Sequence, residues 1–180
     1  VEKNKVNRFK DFMKLIQSFI ELFKGNDYKI DKFDEFKKSA DSIEDEFNKK
    51  RNSLFLNIVE DIYISYQNYL SETKKIDFND MINHSTEEVK KGNLNDNYKY
   101  ILVDEYQDTS YTRFNLVKSI QEKTGAHVCV VGDDWQSIYR FTGCDVSLFS
   151  KFEDYFDNPL KLKIETTYRN SQQLIDISGK

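Results

Sequence analysis

The chain has 180 residues, of which 38% are hydrophobic and 14% aromatic. That composition can build a hydrophobic core, so it excludes a wholly disordered chain. The 27 basic and 31 acidic residues give a net charge of -4, which argues against a module that binds nucleic acid mainly through a basic surface but allows a local basic groove.

Residues 1–95 are predicted to be helical almost throughout. Apolar residues recur at three- and four-residue steps on one face of a first helix, at Val6, Phe9, Met13, Ile16, Ile20 and Phe23. The glycine and the two polar residues at 25–27 supply a stop and a turn. A second pattern runs from Phe33 to Tyr69 without Gly or Pro, so one long helix and two abutting helices are both compatible with it.

The segment IDFNDMI at 76–82 predicts another helix, with Asp77 or Asn79 near its N-cap. The polar loop GNLNDN at 92–97 follows, and the character of the chain changes there. This change predicts a boundary near residue 95.

From Tyr98 onward, β-prone apolar runs alternate with helical patterns. The runs are YKYILV at 98–103, HVCVV at 127–131 and LKLKI at 160–164. The helical patterns lie at 114–120, closed by Gly125, at 145–156 and at 171–177. The first two runs are typical of buried strands in a parallel sheet, and LKLKI is a third strand candidate. Strands separated by helices of this length imply parallel pairing with right-handed crossovers.

Polar side chains follow each predicted strand. The first strand leads into 104–108 (DEYQD), the second into 132–136 (GDDWQ) and the third into 166–169 (TTYR). Because ligands bind beyond the carboxyl ends of parallel strands, we expect these residues to line one margin of the sheet.

The pair Asp104 and Glu105 suits phosphoryl transfer. A hard cation such as Mg²⁺ takes carboxylate oxygens, and the attacking water needs a base or an orienting group. Asp104 then holds Mg²⁺ and Glu105 orients or deprotonates water. An acidic chain also places two acids after a strand by chance, so the pair alone does not establish this site.

The pair belongs to a longer pattern. ILVDEYQDTS at 101–110, VGDDWQSIYRFTG at 131–143 and TTYRNS at 166–171 closely resemble, in order and spacing, motifs II, III and IV of the UvrD/Rep group of superfamily 1 helicases. The tryptophan of GDDWQSIYRF and the TTYR form are most similar to the helicase IV branch.

This resemblance implies an α/β fold in two parts. Residues 96–180 are expected to form part of a RecA-like motor domain, with a partial parallel sheet of the P-loop NTPase type and motifs II, III and IV. Residues 1–95 are expected to form an all-helical subdomain inserted in the first motor domain. IDFNDMI resembles the family's Asp-Phe-x-Asp-Leu-Leu stretch ahead of motif II, which supports that division.

The resemblance also implies roles for single residues. The implied catalytic residues are Asp104, Glu105, Gln136 and Arg169, of which the first two are Mg²⁺ ligands. In this assignment Glu105 is the catalytic base, Gln136 senses the terminal phosphate of ATP, and Arg169 reaches its γ-phosphate. The implied nucleotide-pocket residues are Gln107, Asp108 and Tyr168, with Tyr168 against the adenine.

Tyr139 and Phe141 stand where the family stacks aromatic rings on single-stranded DNA. Judged on the residues alone, ordinary core packing is the better interpretation of both. With the resemblance, base stacking is favoured for Phe141, and both interpretations stay open for Tyr139. Gln136 and Phe141 lie five residues apart, which allows phosphate sensing and base stacking to be coupled mechanically.

The sequence also departs from the family pattern. Thr142 stands where many relatives have arginine, which weakens a charged DNA contact there, and Trp135 replaces a more usual acid. The chain contains no G-x-x-x-x-G-K-[ST] phosphate-binding loop. It begins at Val1 and stops after a helical pattern, so we expect an internal fragment that binds ATP poorly and does not hydrolyse it alone.

Other protein classes are disfavoured. No apolar run approaches the roughly 20 residues that cross a bilayer, and the first residues lack the apolar stretch of a secretion signal. Two cysteines and two histidines are too few for a disulfide framework or a zinc site. Cys129, inside HVCVV, is predicted to be a buried small hydrophobe, and we expect a cytoplasmic protein without membrane contact.

The leading hypothesis is a fragment of an ATP-dependent DNA helicase that moves 3′ to 5′ on single-stranded DNA. Its expected partners are Mg²⁺-ATP, single-stranded DNA, junctions of single- and double-stranded DNA, and the remaining helicase domains of the same parent chain. One alternative is a non-catalytic helicase-like interaction module that lacks the phosphate-binding loop. Another is a different magnesium-dependent phosphotransferase or nuclease.

Overall fold

The computed structural model describes residues 2–138 and 143–178 and forms two compact units, Val1–Ser150 and Lys151–Lys180. The helices and strands of the first unit are α1 (Glu2–Gly25), α2 (Lys32–Asp41), α3 (Glu46–Glu72), α4 (Phe78–Lys90), β1 (Tyr100–Val103), α5 (Tyr111–Thr124), β2 (His127–Val130) and α6 (Ser147–Ser150). The second unit contains α7 (Gln172–Ser178), where the sequence predicts a helix.

A core rich in phenylalanine holds the first three helices together. Phe23 of α1, Phe33 of α2 and Val59 of α3 are almost fully buried. The Phe23 ring lies 4.6 Å from the Phe33 ring and 5.1 Å from the Tyr63 ring, measured between centroids. Burial of several large side chains is the main stabilising contribution to this part of the fold.

The long periodic pattern from Phe33 to Tyr69 forms two helices, α2 and α3. Asp45 is the N-cap of α3, and its side chain accepts a hydrogen bond from the Asn48 backbone N–H at 2.8 Å. An N-cap of this kind satisfies a backbone donor that the first turn of a helix leaves without a partner.

A buried ion cluster joins α1, α3 and α4. The Lys24 side chain is 3% exposed, and its Nζ lies 2.5 Å from Asp77 Oδ2 and 2.6 Å from Asp80 Oδ1. Nζ also donates to Gln67 Oε1 at 3.1 Å, and the Tyr66 hydroxyl donates to Asp77 Oδ2 at 3.0 Å. We call these five residues the Lys24 cluster.

Asp77 also begins α4 as its N-cap, one of the two positions expected. Its side chain accepts from the Asp80 backbone N–H, and the Asp80 side chain accepts from the Asp77 backbone N–H, which forms a capping box. Burial raises the pKa of the Asp77 carboxyl, but hydrogen bonds from Lys24, the Asp80 backbone and Tyr66 outweigh it and leave that pKa below 3.8.

The two strands pair in parallel, with Tyr100 opposite His127 and Val103 opposite Val130. Helix α5 connects them and ends at Gly125, which adopts the left-handed conformation (φ 69°) that the predicted stop requires. The described chain is therefore mainly helical with a small parallel sheet, in agreement with the predicted α/β class.

The prediction that both strands are buried on both faces is wrong. Every second residue of each strand is exposed, and Leu102 is 77% exposed. Cys129 lies opposite Leu102 and is exposed, so its predicted burial is wrong as well. A sheet buries a face only where another layer covers it, and a continuous apolar run does not record whether such a layer is present.

The second unit does not contain the strand that LKLKI predicts. Residues 160–164 form no strand, and Leu160, Leu162 and Ile164 are exposed. The helix predicted over 145–156 is also shorter than expected, because Lys151 leaves helical geometry (φ -113°, ψ 37°) between α6 and a 3-10 turn, Phe152–Asp154. No helix within the described residues is long and apolar enough to cross a membrane.

Candidate functional site

Asp104 and Glu105 lie directly after β1, where the sequence places them, and both are exposed. Glu105 has φ 49° and ψ 43°, a left-handed conformation that is uncommon for a residue with a side chain. Its backbone N–H donates to Asp104 Oδ1 at 2.9 Å. Strained backbone of this kind clusters at functional sites, where the surrounding structure holds it.

The turn after β1 is fixed against the residue that follows β2. The fully buried Tyr106 donates its backbone N–H to the Val131 carbonyl at 2.9 Å, and the Val131 N–H donates to the Val103 carbonyl at 2.9 Å. The carboxylates of Asp104 and Glu105 are thus carried by a turn that both strands hold.

Gln107 connects the turn after β1 with the turn after β2. Its side chain is buried, with only 1% of the residue exposed. Nε2 donates to Glu105 Oε2 at 2.7 Å, and Oε1 accepts from the Asp133 backbone N–H at 3.0 Å. One amide therefore orients the Glu105 carboxylate and anchors the backbone of the neighbouring turn.

Gly132 leaves the space that this connection needs. A Cβ at this position would lie 2.6 Å from Gln107 Oε1 and 3.3 Å from Phe149 Cε2. Real Cβ atoms essentially never approach another heavy atom as closely as 2.6 Å. The glycine is therefore required by the close approach of the Gln107 side chain.

Asp133 holds Gln136. The Asp133 carboxylate accepts from the Trp135 backbone N–H at 3.1 Å through Oδ1, and from Gln136 Nε2 at 2.7 Å through Oδ2. Gln136 itself is exposed and ends the 3-10 turn Asp134–Gln136. Hydrogen bonds therefore run from Glu105 through Gln107 and Asp133 to Gln136, and we call these four residues the turn-to-turn chain.

Asp108 is the last residue of the 3-10 turn Tyr106–Asp108 that follows β1. Its Oδ1 is buried and has no hydrogen-bond partner among the described residues, while its backbone carbonyl accepts from Cys144 Sγ at 2.9 Å. A buried carboxylate oxygen without a donor is costly. This position is compatible with the predicted part of Asp108 in organising a ligand pocket.

The residues after β1 fit a Mg²⁺ site of the kind that includes a nucleotide. The described residues contain no group of three or more His, Cys, Asp or Glu side chains that could hold a metal by itself. Mg²⁺ in nucleotide sites is bound by one or two carboxylates, with waters and phosphates completing the octahedron. The exposed Asp104 and Glu105 carboxylates supply that number of protein ligands.

The four remaining predicted site residues are outside the first unit's described turns in the sequence, and the structure tests none of their roles. Tyr168 and Arg169 belong to the second unit, where both are exposed, and the Arg169 backbone N–H donates to Thr167 Oγ1 at 3.3 Å. Tyr139 and Phe141, the predicted DNA-stacking residues, lie outside the described residues. The roles of these four residues stay predictions.

Sequence reasoning missed Asp133. The signal was present, because an aspartate directly before a short helical turn is a common N-cap, but the pattern did not show that its second oxygen binds Gln136. The Lys24 cluster was also missed, since a lysine near the end of an amphipathic helix is typical of a solvated face.

The fold places the chain in a class of α/β proteins in which a helical region precedes a parallel strand pair with acidic and amide-bearing turns. Residues 1–157 match the family model described as the UvrD/REP helicase N-terminal domain, and the chain belongs to this family. The predicted family is therefore confirmed. The match ends before TTYRNS at 166–171, so the motif IV assignment stays a prediction.

Individual relatives agree with the family. ATP-dependent DNA helicase PcrA of Bacillus subtilis is 34% identical over 137 residues, which are 73% of this chain and 18% of that protein. DNA helicase IV of Escherichia coli is 28% identical over 143 residues, 79% of this chain and 20% of that protein. ATP-dependent DNA helicase Rep of Buchnera aphidicola is 32% identical over 122 residues, 65% and 18% respectively.

The chain spans about a fifth of the length of these relatives. PcrA, Rep and helicase IV are all similar to it, so the comparisons show the family and not a branch within it.

Proposed function

We propose that this chain is the part of an ATP-dependent DNA helicase that carries the Mg²⁺-ligating and catalytic carboxylates of the first motor domain. The observation that supports this most is the turn-to-turn chain, which joins a predicted catalytic base to a predicted phosphate sensor across the ends of two parallel strands. That arrangement suits a ligand that touches both turns, as a nucleoside triphosphate does.

In this proposal Asp104, with Glu105 beside it, holds Mg²⁺. The ion supplies neutralisation of phosphate charge when it is bound with ATP. Glu105 orients or deprotonates the attacking water, and its carboxylate is aimed by Gln107 Nε2 at 2.7 Å. A base whose side chain is already held loses less entropy on reaching the reactive geometry.

Gln136 contacts the terminal phosphate in the same proposal. Its Nε2 uses one hydrogen toward Asp133, so a second hydrogen and Oε1 are available to a ligand. Arg169 approaches the γ-phosphate, and Tyr168 lies against the adenine. Gln107 and Asp108 complete the wall of the pocket.

The proposed domain organisation and the proposed activity of the intact protein are those that the family resemblance implies. Residues 96–180 form part of a RecA-like domain with motifs II, III and IV, and residues 1–95 form the inserted helical subdomain. The intact protein translocates 3′ to 5′ on single-stranded DNA through stacking on Phe141 and Tyr139, and it opens duplexes at junctions. The 180 residues alone do not hydrolyse ATP, because no phosphate-binding loop is among them.

Glu105→Gln in the longer protein that carries this chain tests the assignment. A glutamine keeps the shape of the side chain but cannot take a proton, so ATP turnover is expected to fall by roughly 10²- to 10⁴-fold. Binding of Mg²⁺-ATP is expected to stay within about threefold. Steady-state ATPase rates and equilibrium titration with a fluorescent nucleotide measure the two quantities.

Glu72→Gln is the matched control, since Glu72 is an exposed glutamate at the end of α3. Its turnover should equal that of the unchanged protein. Undiminished turnover of the Glu105→Gln protein contradicts the proposal. Tight nucleotide binding without turnover in the unchanged protein favours the non-catalytic interaction module, and ATPase activity of the 180-residue chain contradicts its predicted inactivity.

A further inference from the structure

All four hydrogen-bonding groups of Asp133 are used within the two turns, and its backbone carbonyl accepts from the Gln136 backbone N–H at 3.0 Å. Its backbone N–H donates to Gln107 Oε1, and its two carboxylate oxygens accept from the Trp135 backbone and from Gln136 Nε2. Its backbone is extended (φ -141°, ψ 109°), which allows the carboxylate to reach forward over the next three residues. No other residue of the two turns contacts both Gln107 and Gln136 in the described structure.

Packing does not hold Gln136 in place. The 3-10 turn that carries it has no buried residue, and its Trp135 is 93% exposed. An exposed glutamine without restraint samples several rotamers and loses that freedom when it binds a ligand. The hydrogen bond to a charged carboxylate at 2.7 Å is therefore the main restraint on the Gln136 side chain.

Gln107 ties the same aspartate to Glu105. Because Gln107 is buried and its two ends contact Glu105 and the Asp133 backbone, the positions of the Glu105 carboxylate and of Asp133 depend on one another. The absence of a Cβ at Gly132 allows the two turns to come close enough for this contact. Asp133 thus transmits the position of one turn to the side chain on the other.

We propose that Asp133 is a positioning residue for nucleotide hydrolysis, which fixes the Gln136 amide relative to the Glu105 carboxylate through Gln107. This inference rests on the proposed function, because Glu105 and Gln136 matter as a pair only where both face one nucleotide. Asp133 does not touch the nucleotide. It acts through Gln136, and its removal leaves the predicted base and the predicted Mg²⁺ ligands in place.

Asp133→Asn in the longer protein is the primary variant. An asparagine Oδ1 still accepts from the Trp135 N–H, so the cap of the turn is kept. Its Nδ2 cannot accept from Gln136 Nε2, so Gln136 is released or held with its amide reversed. Misplacement of a reacting group by about 1 Å costs up to about 10²-fold, so kcat for ATP is expected to fall about 10- to 100-fold, with KM changed less than about threefold.

Asp134→Asn is the matched control, because Asp134 is the next residue, is exposed, and has no side-chain hydrogen bond among the described residues. It removes the same charge from the same turn. Its kcat should stay within about twofold of the unchanged protein, which separates loss of the Gln136 contact from loss of negative charge near a phosphate.

A double-mutant cycle with Gln136→Ala separates positioning from a general structural effect. If Asp133 acts through Gln136, the protein with both changes has the same kcat as Gln136→Ala alone. Multiplied losses in the double variant overturn the inference, because Asp133 then acts independently. Thermal unfolding of each variant, followed by circular dichroism, tests whether all keep the fold of the unchanged protein.

The outcomes distinguish this inference from the proposed function. Gln136→Ala that lowers turnover while Asp133→Asn does not overturns only the positioning role of Asp133. Unchanged turnover in Gln136→Ala removes the predicted phosphate sensor and the inference together. The inference is supported if Asp133→Asn lowers kcat, Asp134→Asn does not, and adding Asp133→Asn to Gln136→Ala causes no further loss.

Discussion

At the scale of single residues, Gly132 and Gln107 show how closely the two turns fit. The 2.6 Å separation between a hypothetical Cβ at Gly132 and Gln107 Oε1 leaves no room for any side chain. The Gln107 backbone nitrogen lies 3.2 Å from the same point, so rotation of the Gln107 side chain alone does not clear it. A substitution at Gly132 must therefore move backbone or break the contact between the turns.

We expect Gly132→Ala to destabilise the chain by about 1–3 kcal/mol, the usual cost of an added group in a well-packed site. The free energy of unfolding, measured by urea denaturation of the 180-residue chain, tests this. Gly25→Ala is the matched control, because the nearest atom that a Cβ there would meet is Asn79 Oδ1 at 4.0 Å, an ordinary van der Waals contact. Equal midpoints for the two variants would show that the turns are not in close contact.

The polar residues that follow the two strands were predictable from the sequence. The hydrogen bonds between them were not. Asp104, Glu105, Gln107 and Gln136 stand in motifs whose residue types and spacing are visible in the sequence. The hydrogen bond between Gln107 and the Asp133 backbone depends on the register of β1 against β2. Register is set by pairing across the sheet, which a single strand pattern does not specify.

At the scale of helices and strands, one part of the Lys24 cluster was predictable from the sequence and another was not. The N-cap Asp77 was one of two expected positions, because aspartate before an apolar pattern has a local physical cause. The burial of Lys24 has no local cause. It follows from the meeting of three helices, where two carboxylates and an amide oxygen replace the water that a buried ammonium loses.

The failed strand at 160–164 has a related explanation. LKLKI alternates apolar and basic residues as a half-buried strand does. A strand also needs a neighbour for its backbone hydrogen bonds, and the only strands that pair among the described residues are β1 and β2. Sequence propensity is local, whereas pairing depends on what else lies alongside.

Tyr66 makes the Lys24 cluster sensitive to alkaline pH. Burial raises the pKa of the Tyr66 hydroxyl, and its hydrogen bond to Asp77, with the negative charges of Asp77 and Asp80, raises it further, to about 12 from 10.0. The folded chain therefore holds this proton more tightly than the unfolded chain. The resulting stabilisation is fully present below pH 10.0 and is lost as the pH rises through 12.

The expected result is a difference in unfolding free energy between the unchanged chain and Tyr66→Phe that shrinks as the pH is raised above the ordinary tyrosine pKa. Urea denaturation at about pH 9 and at about pH 11.5 measures it. Tyr69→Phe, which removes a hydroxyl from the same helix outside the cluster, is the companion variant. A difference for Tyr66→Phe that is independent of pH would contradict a raised pKa at this residue.

At the scale of the whole molecule, the family was predictable because the chain contains long stretches that resemble family motifs in order and spacing, and two of the three, at 101–110 and 131–143, lie within the matched residues. The helical pattern and the change of character near residue 95 predict a boundary there, and that division stays a prediction. In the structure α4 packs against α5, and the compact units are Val1–Ser150 and Lys151–Lys180. A periodic pattern does not show such contacts, because it does not record which helices meet in the fold.

The first unit contains a buried core, whereas part of the second unit has neither regular secondary structure nor backbone hydrogen bonds among the described residues. In the first, Phe23, Phe33 and Val59 form a buried core between helices. In the second, residues 160–168 form no helix or strand, and no hydrogen bond from a backbone N–H of this stretch is found among the described residues. Amide hydrogens exchange at rates set by the opening of such bonds.

We therefore expect amides at 160–168 of the 180-residue chain to exchange at nearly the unprotected rate, and amides of α3 around Val59 to exchange roughly 10³-fold more slowly or slower still. Hydrogen–deuterium exchange with peptide-level mass spectrometry measures both in one sample. The same peptides in concentrated urea give the unprotected reference. Protection at 160–168 equal to that of α3 would mean that this stretch is held by backbone pairing, and the strand that LKLKI predicts would then have to be reconsidered.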